Sequence, residues 1–199
     1  MSKVKTKKHS TFIDMTAMSD VTVLLLTFFM LTANFIPKEP VQLITPGSIS
    51  EAKIPDSNIL TVLVDTTGHV YLTMDRRDNK LAVLREMGKA YGITFTKAQE
   101  ASFLMQPIIG VPMSTMPDFL NKRLEDQDKI LKKYSIPADS TNNQFKQWVQ
   151  YAAATNKELS IAIKADQATP YPKINGVLMS LQAIKQYRYH LITKLDAAK

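Results

Sequence analysis

Asp20 is a carboxylate inside an apolar run, Ala17 to Ile36, that also carries Thr27 and Asn34. Residues seven apart on a helix return to nearly the same side, so Asp20, Thr27 and Asn34 form a polar seam. Val21, Leu25, Phe28 and Phe29 make the opposite, apolar flank. The chemistry open to a lone carboxylate in such a place is proton uptake and release. Leaving an aspartate ionised at mid-bilayer costs about 2.5–3.5 kcal/mol. Holding a carboxylic acid protonated near neutral pH costs about 4 kcal/mol. The two forms are nearly balanced, so a modest change of surroundings moves the proton. One charge crossing about 100 mV releases about 2.3 kcal/mol, enough to drive that change repeatedly.

A plainer reading starts the helix at Val21, with Asp20 as its N-cap in the headgroup layer. The remaining stretch, Val21 to Ile36, is then short of the usual minimum of about 17 residues. The alternative sets Asp20 inside the helix, about 9 Å along it from Asp14. One helix cannot shield a carboxylate by itself, so that reading requires a membrane partner.

The elements that would position Asp20 follow from the rest of the chain. Residues 1–16 form a polar tail with Lys3, Lys5, Lys7 and Lys8, and residues 17–36 form a transmembrane helix. Lysines beside a span stay cytoplasmic, so the long C-terminal part falls on the far side. A cleaved signal peptide fits less well, because the apolar run is long, carries Asp20 and lacks a small-x-small cleavage site. Residues 37–57, with Pro37, Pro40, Pro46 and Pro55, cannot be a continuous helix and read as a linker. Within it, Val41 to Thr45 reads as a short strand ended by Pro46, or as plain linker.

Residues 58–199 read as an α+β domain. Ile59 to Asp65 and His69 to Thr73 make a hairpin across Thr66-Thr67-Gly68. Leu81, Leu84, Met87 and Tyr91 follow helical spacing up to a C-cap at Gly92. Leu159 to Lys164 reads as a strand, Ile174, Val177, Leu178, Leu181 and Ile184 as one helix face, and Tyr189 to Thr193 as a closing strand. That order implies a mixed sheet with helices on one face. Residues 94–156 are a helical insertion. A helix from Asp118 carries Leu120, Leu124 and Leu131 on one side and stops by Pro137. A second, with Phe145, Trp148, Val149 and Ala152, follows a cap at Asn142.

Ile13-Asp14-Met15-Thr16-Ala17-Met18-Ser19-Asp20-Val21, followed by Leu24-Leu25-Leu26-Thr27-Phe28-Phe29-Met30, resembles the N-terminal signature of the ExbD/TolR family of biopolymer-transport proteins. The departures are Ala17, where that family usually has proline, and Asp14, where it commonly has asparagine. The strand and helix order after the linker is similar to the family's periplasmic domain, and Ile163-Lys164-Ala165-Asp166 with Tyr171 matches its strand-end motif. Asp166 itself reads as a turn-fixing residue. The resemblance covers the tail, the span and about half of the rest. It implies a bacterial inner-membrane protein with a periplasmic domain, Asp20 as the proton-translocating residue and Thr27 as a supporting polar position. It further implies a multi-span ExbB/TolQ-like partner, a TonB-like energy transducer, a homodimer, and a strand at Val41 and Leu43 that pairs with a partner or a second copy. Peptidoglycan is a further candidate partner.

Composition narrows the classes. The chain has no cysteine, which excludes disulfides, thiolate metal sites and cysteine nucleophiles. His9, His69 and His190 are dispersed without an acidic cluster, and no phosphate-loop or dinucleotide fingerprint occurs. No cofactor, metal or enzymatic activity is therefore expected. Of the net charge of +7 the tail lysines hold a share, and the surplus beyond the span is scattered among acids rather than gathered as nucleic-acid binding needs. The leading expectation is a motor subunit that couples proton-motive force to transport across the outer membrane. The rivals are a Tol-type or other cell-wall-binding stator, and a static anchored binding module.

Overall fold

The computed structural model describes residues 15–33, 41, 43–48, 57–139, 142–192 and 194–195. The chain divides into two compact units, Met1–Lys38 and Glu39–Lys199. The first contains a single described element, helix α1, Met15–Thr32. It is long and apolar enough to cross a membrane. Its apolar side chains are exposed around its whole circumference, Val21, Leu25, Phe28 and Leu31 among them. A surface of that kind belongs in hydrocarbon or against other protein. The threonines do not oppose this. The Thr22 hydroxyl donates to the Met18 carbonyl at 2.8 Å, Thr27 to Val23 and Leu24 at 3.0 and 2.9 Å, and Thr32 to Phe28 at 2.8 Å. Each hydroxyl proton is satisfied within the helix, as an apolar medium demands.

In the second unit, strand β1 (Gly47–Ser48) precedes β2 (Ile59–Val64) and β3 (Val70–Met74). Helices α2 (Arg77–Tyr91), α3 (Lys97–Met105), α4 (Met116–Leu120), α5 (Leu124–Leu131) and α6 (Gln144–Thr155) follow. The chain then forms β4 (Ser160–Ala165), α7 (Tyr171–Ala183), β5 (Tyr189–Leu191) and β6 (Lys194–Leu195). The main sheet has the order β3-β2-β4-β5. β2 runs antiparallel to β3 and parallel to β4, and β4 runs parallel to β5, so the sheet is mixed as expected.

The hairpin turn works as its residues suggest. The Asp65 carboxylate accepts from the Thr66 amide at 2.6 Å, and Gly68 takes φ 83°. A Cβ there would also stand 2.7 Å from Lys173 Cγ. Register places Leu60, Val62, Val64, Val70, Leu72, Ile161 and Ile163 on one sheet face, and all are buried. Val83, Leu84 and Met87 of α2, Phe145, Trp148 and Val149 of α6, and Val177 and Leu181 of α7 complete that core. Gly92 closes α2 in the left-handed region at φ 67°, as expected. The buried face of α2 is offset from the expected one, running through Lys80, Val83, Leu84 and Met87, while Tyr91 is exposed.

The insertion differs from expectation at two points. The helix predicted from Asp118 past Leu131 breaks at residues 121–123, leaving Leu120 and Leu131 buried but Leu124 44% exposed. Side-chain amides take the carbonyls at the break. Gln99 Nε2 donates to the Pro117 carbonyl and to Asn121 Oδ1, and Gln127 Nε2 donates to the Lys122 carbonyl at 2.9 Å. The cap of α6 is Asn143 rather than Asn142: its side chain accepts from the Lys146 amide at 2.8 Å and donates to Ser180 at 2.9 Å.

The insertion also closes the sheet. Ile109 and Leu72 exchange both main-chain hydrogen bonds, at 2.7 and 2.8 Å, and the Ile136 amide donates to the Val70 carbonyl at 2.9 Å. The outer edge of β3 is therefore paired rather than open. Tyr71 is buried there: its hydroxyl donates to the Leu131 carbonyl at 3.1 Å, and burial together with Asp65 pushes its pKa up to about 12.

Candidate functional site

The candidate proton site is built on α1. The described helix already runs from Met15, so Asp20 lies inside it and does not cap it. Asp20 and Thr27 sit seven residues apart on one continuous helix, about 10 Å along its axis and on one side. Thr27 spends its proton on the helix backbone, which leaves its oxygen as an acceptor on the seam. Asn34, the seam's third member, lies outside the described residues, as do Asp14 and the basic tail.

A second constellation lies where the linker meets the α+β domain. Val41 is buried at 9% exposure, and Leu43, partly buried, packs against the hydrophobic core. Asp166, itself 7% exposed, accepts from the Ile44 amide through Oδ2 at 2.8 Å and from the Ala168 amide through Oδ1 at 3.0 Å. The Gln167 amide returns a bond to the Ile44 carbonyl at 2.9 Å. One carboxylate thus fixes the turn after β4 and holds the linker to it. The turn role was legible in the sequence. The partner 122 residues away was not, because nothing local to Asp166 names it. Among the described residues of the Val41–Thr45 stretch, read as a short strand or plain linker, Ile44 makes main-chain pairing, and β1 follows Pro46, where Gly47 and Ser48 pair in parallel with Lys194 and Leu195. Pro46 therefore does not end the linker's pairing.

Sequence reasoning also missed Lys80. Its side chain is 3% exposed, its ammonium donates to the Gln106 carbonyl, and it lies 4.8 Å from the Phe103 ring centroid. Burial, with a smaller contribution from Arg77, pushes its pKa down to about 8. Lys80 ties α2 to the end of α3, beside the bidentate pair of Arg85 with Glu100 at 2.6 and 2.8 Å. The only signal in the sequence is its i−3 and i−4 spacing from Val83 and Leu84 on the buried face.

A family model described as Biopolymer transport protein ExbD/TolR matches residues 6–196. The chain belongs to the ExbD/TolR family. The match spans the tail, the span, the linker and the domain, further than the sequence resemblance reached, since it also runs across the insertion. No curated protein and no solved structure matches the chain. Family membership makes this ExbD/TolR protein a component of biopolymer-transport energisation, in a family that works with ExbB/TolQ-like and TonB-like proteins. His69 stands edge-on to Tyr71, and His190 lies in β5. Among the described residues no group of three metal-ligating side chains comes together.

Proposed function

We propose that this ExbD/TolR protein is the single-span subunit of a proton-driven motor in the bacterial inner membrane, with Asp20 as the group that takes up and releases the proton. The observation that carries this reading is Asp20 inside a helix whose described residues hold no other charged side chain, on one side with Thr27. An ionisable group within a membrane helix is rare and marks a proton or ion pathway. An ExbB/TolQ-like multi-span partner supplies the protein surface and water that the Asp20 seam needs, with Asn34 extending that seam. Proton transfer at Asp20 changes the angle or register of the helix, and the linker carries the change to the periplasmic domain. Anchorage of Ile44 by Asp166 supports this route, because a linker held by main-chain pairing passes on a pull that a slack one absorbs.

The output is work on a TonB-like energy transducer across the outer membrane, performed as a dimer in which Val41 and Leu43 can exchange between their own domain and a partner. The alternative output is a Tol-type stator that grips peptidoglycan. Asp20→Asn in the full complex tests the motor. Loss of proton-motive-force-dependent transport with normal expression and assembly is expected, and full activity refutes the motor in favour of a static anchored module. Pulldown on purified peptidoglycan against a TonB-like protein separates the two outputs.

A further inference from the structure

An open cleft of about 510 Å³ lies at the start of β4 and β5, lined by Lys157, Glu158, Ser160, Lys185, Arg188 and His190. Neither the span nor the linker anchorage uses these residues. Three permanent cations and one carboxylate line this concavity, an excess of two positive charges before His190 is counted. The charges are not neutralised locally, since the ion pairs among the described residues are Arg85–Glu100, Lys89–Glu86 and Lys129–Asp126.

The backbone shows how the wall is shaped. Lys185 sits at φ 59°, in the left-handed region that glycine ordinarily fills after a helix. The Lys185 amide donates to the Gln182 carbonyl at 2.9 Å and the Gln186 amide to the Leu181 carbonyl at 3.1 Å, which closes α7 and turns Lys185 and Arg188 onto the cleft.

We propose that this cleft binds a phosphate monoester group. Such a group carries a charge of about −1.5 to −2 at pH 7 and three strong acceptor oxygens. Those oxygens match the donors on hand, the Arg188 guanidinium, the two ammonium groups, the Ser160 hydroxyl and the His190 ring. A single carboxylate offers half the charge. The phosphate belongs either to a soluble phosphomonoester or to a phosphatidic acid headgroup, and the recognising chemistry is the same.

The test uses the full chain in uncharged detergent micelles at constant ionic strength. Inorganic phosphate, glycerol phosphate and dioctanoyl phosphatidic acid are titrated by calorimetry, with chloride as the control. Saturable binding is expected, weakened at least tenfold in Arg188→Gln and in Lys185→Gly. Lys185→Gly also relieves the left-handed strain, so its thermal midpoint should equal or exceed that of the parent while its binding falls. Binding of all three probes assigns a soluble phosphomonoester, and binding of the lipid alone assigns the headgroup. No saturable binding by any probe, or parental affinity in both variants, overturns the proposal.

Discussion

Lys80 offers the most direct test of the physical reading of the domain. The residue is 3% exposed, its ammonium lies against the Phe103 ring and the Gln106 carbonyl and in no ion pair among the described residues, and its pKa falls from the ordinary 10.5 to about 8. Between those values the unfolded chain holds a proton that the folded chain has released. Stability therefore rises with pH through this window, and the cost of the buried charge is felt in full below it. At about 1.4 kcal/mol per unit, the gain from pH 8 to pH 10 is about 2 kcal/mol. Tyr71 acts in the opposite sense only above pH 10, because its folded pKa is raised to about 12 and the unfolded phenol ionises first. The assay is urea unfolding of the full chain in micelles, followed by fluorescence of Trp148, the single tryptophan, which is fully buried and stacked on Phe103. Lys80→Met preserves most of the volume, and the difference between parent and variant isolates this group. The difference should narrow by about 2 kcal/mol from pH 8 to pH 10. A difference that stays flat across that range refutes the argument.

Asp166→Ala removes the acceptor for the Ile44 and Ala168 amides, and hydrogen exchange at those two amides should quicken about tenfold, the equivalent of about 1.4 kcal/mol. Unchanged exchange at Ile44 would mean that Asp166 does not hold the linker. Gly110→Ala places a Cβ 2.3 Å from the Tyr71 ring and should destabilise the domain by about 1–3 kcal/mol in the same urea assay. The break between α4 and α5 makes a paired prediction. Leu131→Ala should cost about 2–5 kcal/mol, whereas Leu124→Ala should stay within about 0.5 kcal/mol, and equal costs would restore one continuous helix.

Where function and fold depended on short-range pattern, they could be read directly. The β2–β3 hairpin follows from two β-rich runs around an Asp65-Thr66-Thr67-Gly68 turn, whose positive φ at Gly68 only glycine takes without strain. Gly92 ended α2 for the same reason. The misreadings share a cause. Leu120, Leu124 and Leu131 obey helical spacing, but Gln99, from outside that stretch, takes the Pro117 carbonyl, and Gln127 turns back onto the Lys122 carbonyl, which together make a break preferable. Periodicity does not register a competitor for hydrogen bonds that lies elsewhere in the sequence. The pairing of Ile44 was likewise out of reach of local pattern, since it depends on Asp166 and Gln167.

The sequence alone determined that Asp20 shares an apolar helix with Thr27, because a span's length, its polar interruptions and their period are local properties of consecutive residues. It also determined the family, through that same run. Only the tertiary structure decided that Asp166 grips the linker, that the insertion seals the edge of β3, and that Lys80 is buried against the Gln106 carbonyl. Each of these joins groups far apart along the chain, and which distant donor meets which acceptor is settled by packing the core, not by the residues on either side.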